Sequence, residues 1–428
     1  MTPQSEFLVM APVRPEALSD LRALLATMNG KPGHVDPDNP LVPFGAFPTL
    51  HVARFVVLDD QTLGDLSAFG ETYADAPVYL AFLGDCDGTA ETLLDDMATA
   101  AGDGLRRIFG HCEGLAPDGD LRGWMRARLV PSQAYYVNWV GRTVVQVREE
   151  AALRGALAAE LQRAAAEGVT SPGDLQLRLR DHVAAHGPPL TPPAPTPRPW
   201  LLRHVADLVL GVLILLVAAP LLLIASPVLL WLLRRRETRD PEITVLADPT
   251  RVSAIAAMED HDVSNPFSAI GTIKPGAFRL TLVRAVLWLL NFGARQIYTK
   301  GRLARVGTIH FARWVVIDGG RRVFFVSNYD GSLDSYMDDF INKAAFGLNL
   351  VFSNGVGYPT TNWLLFDGAK REERFKAFLR RRQQPTDVWY KAYPGLTAFE
   401  IARNTEVRQG LARDAMGEAD LRRWLAKI

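Results

Sequence analysis

The chain has 428 residues, room for two or three domains, and 48% of them are hydrophobic, enough to bury sizeable cores. Its 47 basic and 47 acidic side chains cancel, which excludes a global field attracting nucleic acid, and no nucleic-acid partner is expected. Two cysteines, Cys86 and Cys112, without a CxxC spacing exclude a disulfide framework or a structural zinc site.

Residues 1–13 lack a basic stretch followed by a long apolar run, so no secretory signal is expected; residues 7–13 instead read as a short apolar strand, followed by a helix over 15–28. Residues 49–59 and 78–84 read as further strands. A long helix over 89–109 opens with a small polar residue and an acidic first turn, and 133–139 closes the unit as a strand. Residues 149–186, rich in Ala, Leu, Arg and Glu, read as one or two helices, and the prolines of 187–199 make an extended spacer.

The next segment, 208–233, is apolar without a single charge and is followed by Arg234, Arg235, Arg236 and Arg239. It exceeds the roughly 20 residues that span a bilayer as a helix. Pro220 and Pro227 divide it into two stretches of about half a bilayer each, so a kinked or re-entrant hairpin is favoured over a straight span. A straight span would place the flanking halves on opposite sides of the membrane. The basic flank favours the cytoplasmic side of an inner membrane. Beyond it, 243–249 reads as a strand, 249–258 as a helix, and 280–298 as an amphipathic helix suited either to a membrane interface or to packing on a sheet. Strands over 308–318 and 323–329, a helix over 332–352 and a strand over 387–393 complete the second half.

The two halves match. Thr49-Leu-His-Val-Ala-Arg-Phe-Val-Val-Leu-Asp59 and Thr308-Ile-His-Phe-Ala-Arg-Trp-Val-Val-Ile-Asp318 agree at seven of eleven positions. Asp87-Gly88 with Asp95-Asp96 matches Asp330-Gly331 with Asp338-Asp339 at the same spacing, and Gly104-Leu105 and Phe109 match Gly347-Leu348 and Phe352. Pro131, Tyr136, Gly141 and Thr143 match Pro385, Tyr390, Gly395 and Thr397. The expected fold is α+β: two tandem ferredoxin-like (βαββαβ) repeats forming a pseudo-dimer, with an inserted hydrophobic membrane helix or hairpin. The expected boundaries are repeat one at 1–148, a helical extension at 149–186, the linker at 187–200 and the membrane segment at 201–236. Repeat two follows at 240–405 with an amphipathic insert at 279–300, and a helical tail at 406–428.

His51 and His310 sit on otherwise apolar strands, where a polar ring must be hydrogen-bonded or functional. By strand alternation His310 and Trp314 share one face and Arg313 the other, and the buried arginines need carboxylate partners, for which the helix aspartates are candidates. His310, Arg313, Tyr329 and Asp330 are the candidate catalytic set, with Arg313 stabilising a developing anion and Asp330 moving protons. Asp330 and Asp334 have a capping alternative at the helix start. Glu259, His261 and Asp262 form a candidate hard-cation cluster, with a solvated polar loop as the alternative.

Two tandem units of this order resemble the dimeric α/β-barrel superfamily, which includes the haem-binding dye-decolourising peroxidases and chlorite dismutases and several cofactor-free monooxygenases. Asn328-Tyr329-Asp330-Gly331 is similar to the end of the peroxidases' GxxDG motif, without its first glycine. The resemblance implies a cavity between two sheets and haem as a candidate cofactor, with His310 and Trp314 as candidate cofactor-binding residues. The expected function is a membrane-associated ligand-binding or scaffold protein without catalysis; the alternative is a membrane-attached oxidoreductase acting on an apolar or lipid-derived small molecule. A lipid bilayer is the expected partner, together with a second copy of the chain in a homo-oligomer.

Overall fold

The computed structural model describes residues 1–31, 33–259, 262–413 and 416–428. It is α+β, built on two four-stranded antiparallel sheets. The first half supplies β1 (Gln4–Pro12), α1 (Leu18–Ala26), β2 (Leu50–Leu58), β3 (Tyr79–Asp87), α2 (Ala90–Ala100), α3 (Gly102–Phe109) and β4 (Ala134–Val137). Two helices follow, α4 (Val144–Ala166) and α5 (Pro172–His186), and then the apolar helix α6 (Arg198–Glu237). The second half supplies α7 (Pro249–Glu259), β5 (Ser264–Thr272), α8 (Ala277–Gln296), β6 (Ile309–Ile317), β7 (Arg322–Asp330), α9 (Leu333–Phe352), α10 (Glu372–Arg382), β8 (Val388–Lys391), α11 (Ala398–Leu411) and α12 (Glu418–Leu425).

The sheets run β1-β3-β2-β8 and β4-β6-β7-β5. Each therefore takes three strands from one half and its fourth from the other. The segments expected to close their own units do form strands, but they are exchanged: Tyr135 pairs with Arg313 on β6, and Trp389 pairs with Arg54 on β2. Alternation explains how both faces of each sheet are buried. Phe7, Val9, Phe55 and Phe82 pack outward against the helices of the first half, and Phe267, Trp314 and Phe325 against those of the second. Leu8, Val56 and Leu83 meet Ile270, Val315, Phe324 and Val326 in a core between the sheets.

Two expectations shift here. Residues 243–248 carry no regular structure, and the first strand of the second half is β5, whose sequence SNPFSAIGT contains a proline. Pro266 is tolerated because β5 is an edge strand, with β7 as its strand partner among the described residues and only a short bridge from Gln383 and Gln384 at Ser268 and Ala269 on its other side. In consequence the amphipathic segment is α8, the helix following β5; it buries Val283 and Leu287 against the second sheet. The long helix of the first half breaks at Ala101, between α2 and α3, and α9 kinks at the matching Ala344.

The apolar segment is one unbroken helix of 40 residues containing Pro220 and Pro227, and not two half-length helices joined by a turn. It is about 60 Å long. It runs antiparallel to α8 and is fastened at both ends. Near its start the His204 carbonyl accepts from Gln296, Asp207 lies 3.8 Å from Arg295, and Gly211 packs so closely on Phe292 that a β-carbon there would lie 2.2 Å from the ring. At its end buried Glu237 accepts from the Thr361 hydroxyl at 2.7 Å and from the Trp363 and Leu364 N–H groups at 2.9 Å. Between these fastenings its leucines and isoleucines are exposed, Ile224 by 79%. Helices α6 and α8 are both long and apolar enough to cross a membrane.

Candidate functional site

The two matched strands β2 and β6, which carry His51 with Arg54 and His310 with Arg313, each have a β-bulge. Pairing of β2 with β3 steps from Leu50–Cys86 to Val52–Asp85, and pairing of β6 with β7 steps from Ile309–Tyr329 to Phe311–Asn328. His51 and His310 are the extra residues, and a bulge re-aims such a side chain out of strict alternation. His51 Nε2 donates to Asp87 Oδ1 at 3.0 Å, and His310 Nε2 to Asp330 Oδ1 at 2.6 Å. The second oxygen of each aspartate accepts, at 2.8 Å, from the first N–H of a helix: Val144 of α4 for Asp87, Ala398 of α11 for Asp330. A carboxylate is favoured at that end of a helix dipole. Thr143 and Thr397 cap the same two helices.

With its proton on Nε2, His51 accepts at Nδ1 from the Tyr393 hydroxyl, 3.0 Å away and contributed by the other half. Burial, with Asp87 and Asp85 nearby, holds the Tyr393 phenol far above its ordinary value, so it remains a donor. Both histidines line one cavity of about 30 Å³ where the halves meet, together with Asn138, Trp139, Arg142 and Tyr393. That is room for about one or two water-sized groups.

Arg142 is 5% exposed and its guanidinium stacks 4.1 Å over the Trp139 ring. Its Nε and Nη2 have no hydrogen-bond partner among the described residues. Burial pulls it down to about 10, with Glu150 working in the opposite direction.

The strand arginines cross between the sheets instead. Arg313 donates to the carbonyls of Phe7 and Gly84 at 2.8 and 3.0 Å and to Asp85 Oδ1 at 2.5 Å; Arg54 donates to the Phe267 carbonyl at 3.0 Å and to Asn328 Oδ1 at 2.5 Å. Asp85, on β3, takes the role expected of the helix aspartates. Those lie on the surface, where Asp95 pairs with Arg126, Asp334 with Arg380, Asp338 with Lys376 and Asp339 with Lys343. Arg54 meets no carboxylate among the described residues, and burial, then repulsion from Arg313, lowers it to about 9.

The expected catalytic set therefore separates. His310 and Asp330 meet. Arg313 is committed between the sheets, and Tyr329 is stacked at 4.1 Å on Tyr336 in the helix-side core of the second half. Trp314 packs on Phe325 in that same core, away from His310, because the bulge breaks the alternation that placed them together. Haem does not fit: His310 Nε2 is engaged by Asp330, and the cavity is far below the roughly 300–1,000 Å³ of ligand and cofactor pockets. In the expected metal cluster, Glu259 is buried and accepts from Gln383 and Thr386, Asp262 pairs with Lys391, and His261 lies outside the described residues. Among the described residues no three ligand side chains converge. Burial pushes the Glu259 carboxyl up to about 8, opposed by the hydrogen bonds from Thr386 and Gln383.

Asp87, Tyr393 and Arg142 were not singled out from sequence. Arg142 had a signal: it lies between Gly141 and Thr143, whose counterparts Gly395 and Thr397 enclose Leu396, so a charge departs from the repeat there. No protein-family model, no curated protein and no solved structure matches this chain.

Proposed function

We propose that the chain is a monotopic membrane protein, with α6 immersed in one leaflet and a non-catalytic body that binds a small ligand in the cavity between its halves. The strand exchange carries the membrane reading. β4 precedes α6 in the chain and is bonded to β6 beyond it; β8 follows α6 and is bonded to β2 before it. A single crossing at α6 would tear both sheets apart. A return through α8 would not repair them, because β5 lies between these helices in the chain and is bonded to β7. Immersion of α6 without crossing leaves every strand pair intact and removes its exposed side chains from water, each fully buried leucine or isoleucine contributing about 1.5–3 kcal/mol. Arg198 and Arg203 before the apolar stretch, and Arg234, Arg235, Arg236 and Arg239 after it, favour the cytoplasmic side of an inner membrane for the body.

The matched bulges, His–Asp pairs and crossing arginines support reading the halves as two ferredoxin-like copies that have exchanged their last strands. The ligand reading rests on the cavity and its unsatisfied arginine.

The membrane reading is tested by replacing residues 208–233 with a Gly/Ser linker of about 50 residues, whose mean span of about 40 Å matches the gap along α8. The full chain is expected to stay with membranes after an alkaline carbonate wash, and the replaced chain to be soluble with the same near-ultraviolet circular dichroism. A full chain released by the wash contradicts the reading.

A further inference from the structure

Arg142 is a buried cation on the wall of a small cavity, and its orphaned atoms are informative. Nε and Nη2 form one edge of the guanidinium, the fork that grips a carboxylate through two parallel hydrogen bonds. Leaving that fork empty costs free energy, since a buried charge is retained cheaply only when paired. No side chain among the described residues fills it. Glu150, the acidic group acting most strongly on Arg142, is held elsewhere, accepting from Gln146 at 2.8 Å and from Thr405 at 2.6 Å. The other dipoles of the cavity are arranged with equal care. His51 is bonded on both sides, by Asp87 and Tyr393, while His310 is fixed by Asp330 through Nε2 alone, and no hydrogen bond engages its Nδ1 among the described residues. The second half has no copy of this charge, since Leu396 stands at the matching position. The pairing thus supplies one site per chain at the junction of the halves.

We propose that this cavity binds the carboxylate group of a small acid, with the guanidinium of Arg142 as the cation that pairs it and Trp139 as the plate that keeps the guanidinium flat. This deepens the ligand-binding half of the proposed function and is independent of its membrane half.

The test uses the detergent-solubilised full chain titrated with sodium formate, acetate, phosphate and chloride at constant ionic strength, read by thermal melting and calorimetry. Formate and acetate are expected to raise Tm saturably, and chloride is not. Arg142→Met abolishes the response while leaving the unliganded chain at least as stable as the parent, because it removes an unpaired buried charge. Arg142→Lys keeps the charge, loses the fork and weakens binding about tenfold or more. Absence of a saturable carboxylate response in the parent overturns the proposal, as does an undiminished response in Arg142→Met. A response to phosphate without one to carboxylates overturns the ligand class. If Arg142→Met does not fold, Arg142→Lys decides alone. Flotation of the same preparations with lipid vesicles reports the membrane reading separately, so a failure here is distinguishable from a failure there.

Discussion

Asp87 and Asp330 each tie a bulged histidine to the start of a helix, and neither is exposed by more than a tenth. Replacing either by asparagine removes the charge from the helix end and weakens the histidine bond. Asp87→Asn and Asp330→Asn should each cost about 1–3 kcal/mol, seen as a lower urea midpoint with an unchanged slope. Glu259 predicts a pH effect. Its carboxyl is raised from an ordinary 4.5 to about 8 in the fold by burial, so between those values the native state holds a proton that the unfolded chain has released. The stability this confers is complete below about pH 4.5 and is lost as pH rises toward 8. Glu259→Gln should remove that slope, worth on the order of a few kcal/mol, from a plot of unfolding free energy against pH. The histidines were visible in the sequence because a polar ring on an apolar strand is unusual. Of their partners, Asp330 was named beside His310 while Tyr393 was not, and a one-residue bulge shifts which side chains share a face, which nothing in the spacing of His310 and Trp314 announces. Arg142 was obscured because its environment is assembled from β4, its following turn and the other half of the chain.

At the scale of elements, strands rich in β-branched and aromatic residues were readable wherever both faces are buried, as in β2, β3, β6 and β7. β5 was not, because an edge strand can carry Pro266 and small polar residues that elsewhere mark a loop. The two prolines of α6 read as helix breakers by the ordinary cost of a lost hydrogen bond. They are accommodated within one continuous helix in an apolar stretch that favours intrahelical bonding throughout. The far end of that helix hangs on Glu237, which accepts three hydrogen bonds from 361–364. Glu237→Ala should destabilise the chain by about 1.5–3 kcal/mol and raise hydrogen exchange over 360–369, while β2 and β3 remain protected.

For the whole molecule, the repeat in the sequence indicated two like halves, and their shared placement of His51, Arg54 and Asp87 with His310, Arg313 and Asp330 agrees with it. The exchange of β4 and β8 was not readable, because strand pairing depends on contacts between residues more than 150 positions apart. That exchange makes the apolar helix an insertion between strands that must stay together, and under the proposed membrane reading it requires both halves to lie on the same side of the bilayer. The most direct measurement is labelling of single cysteines in intact and permeabilised cells, with the buried Cys86 and Cys112 replaced by alanine. Ala194→Cys and Thr238→Cys flank α6 at exposed positions. Both should resist an impermeant maleimide in intact cells and react once the membrane is opened. Reaction of one flank and protection of the other in intact cells would contradict the account.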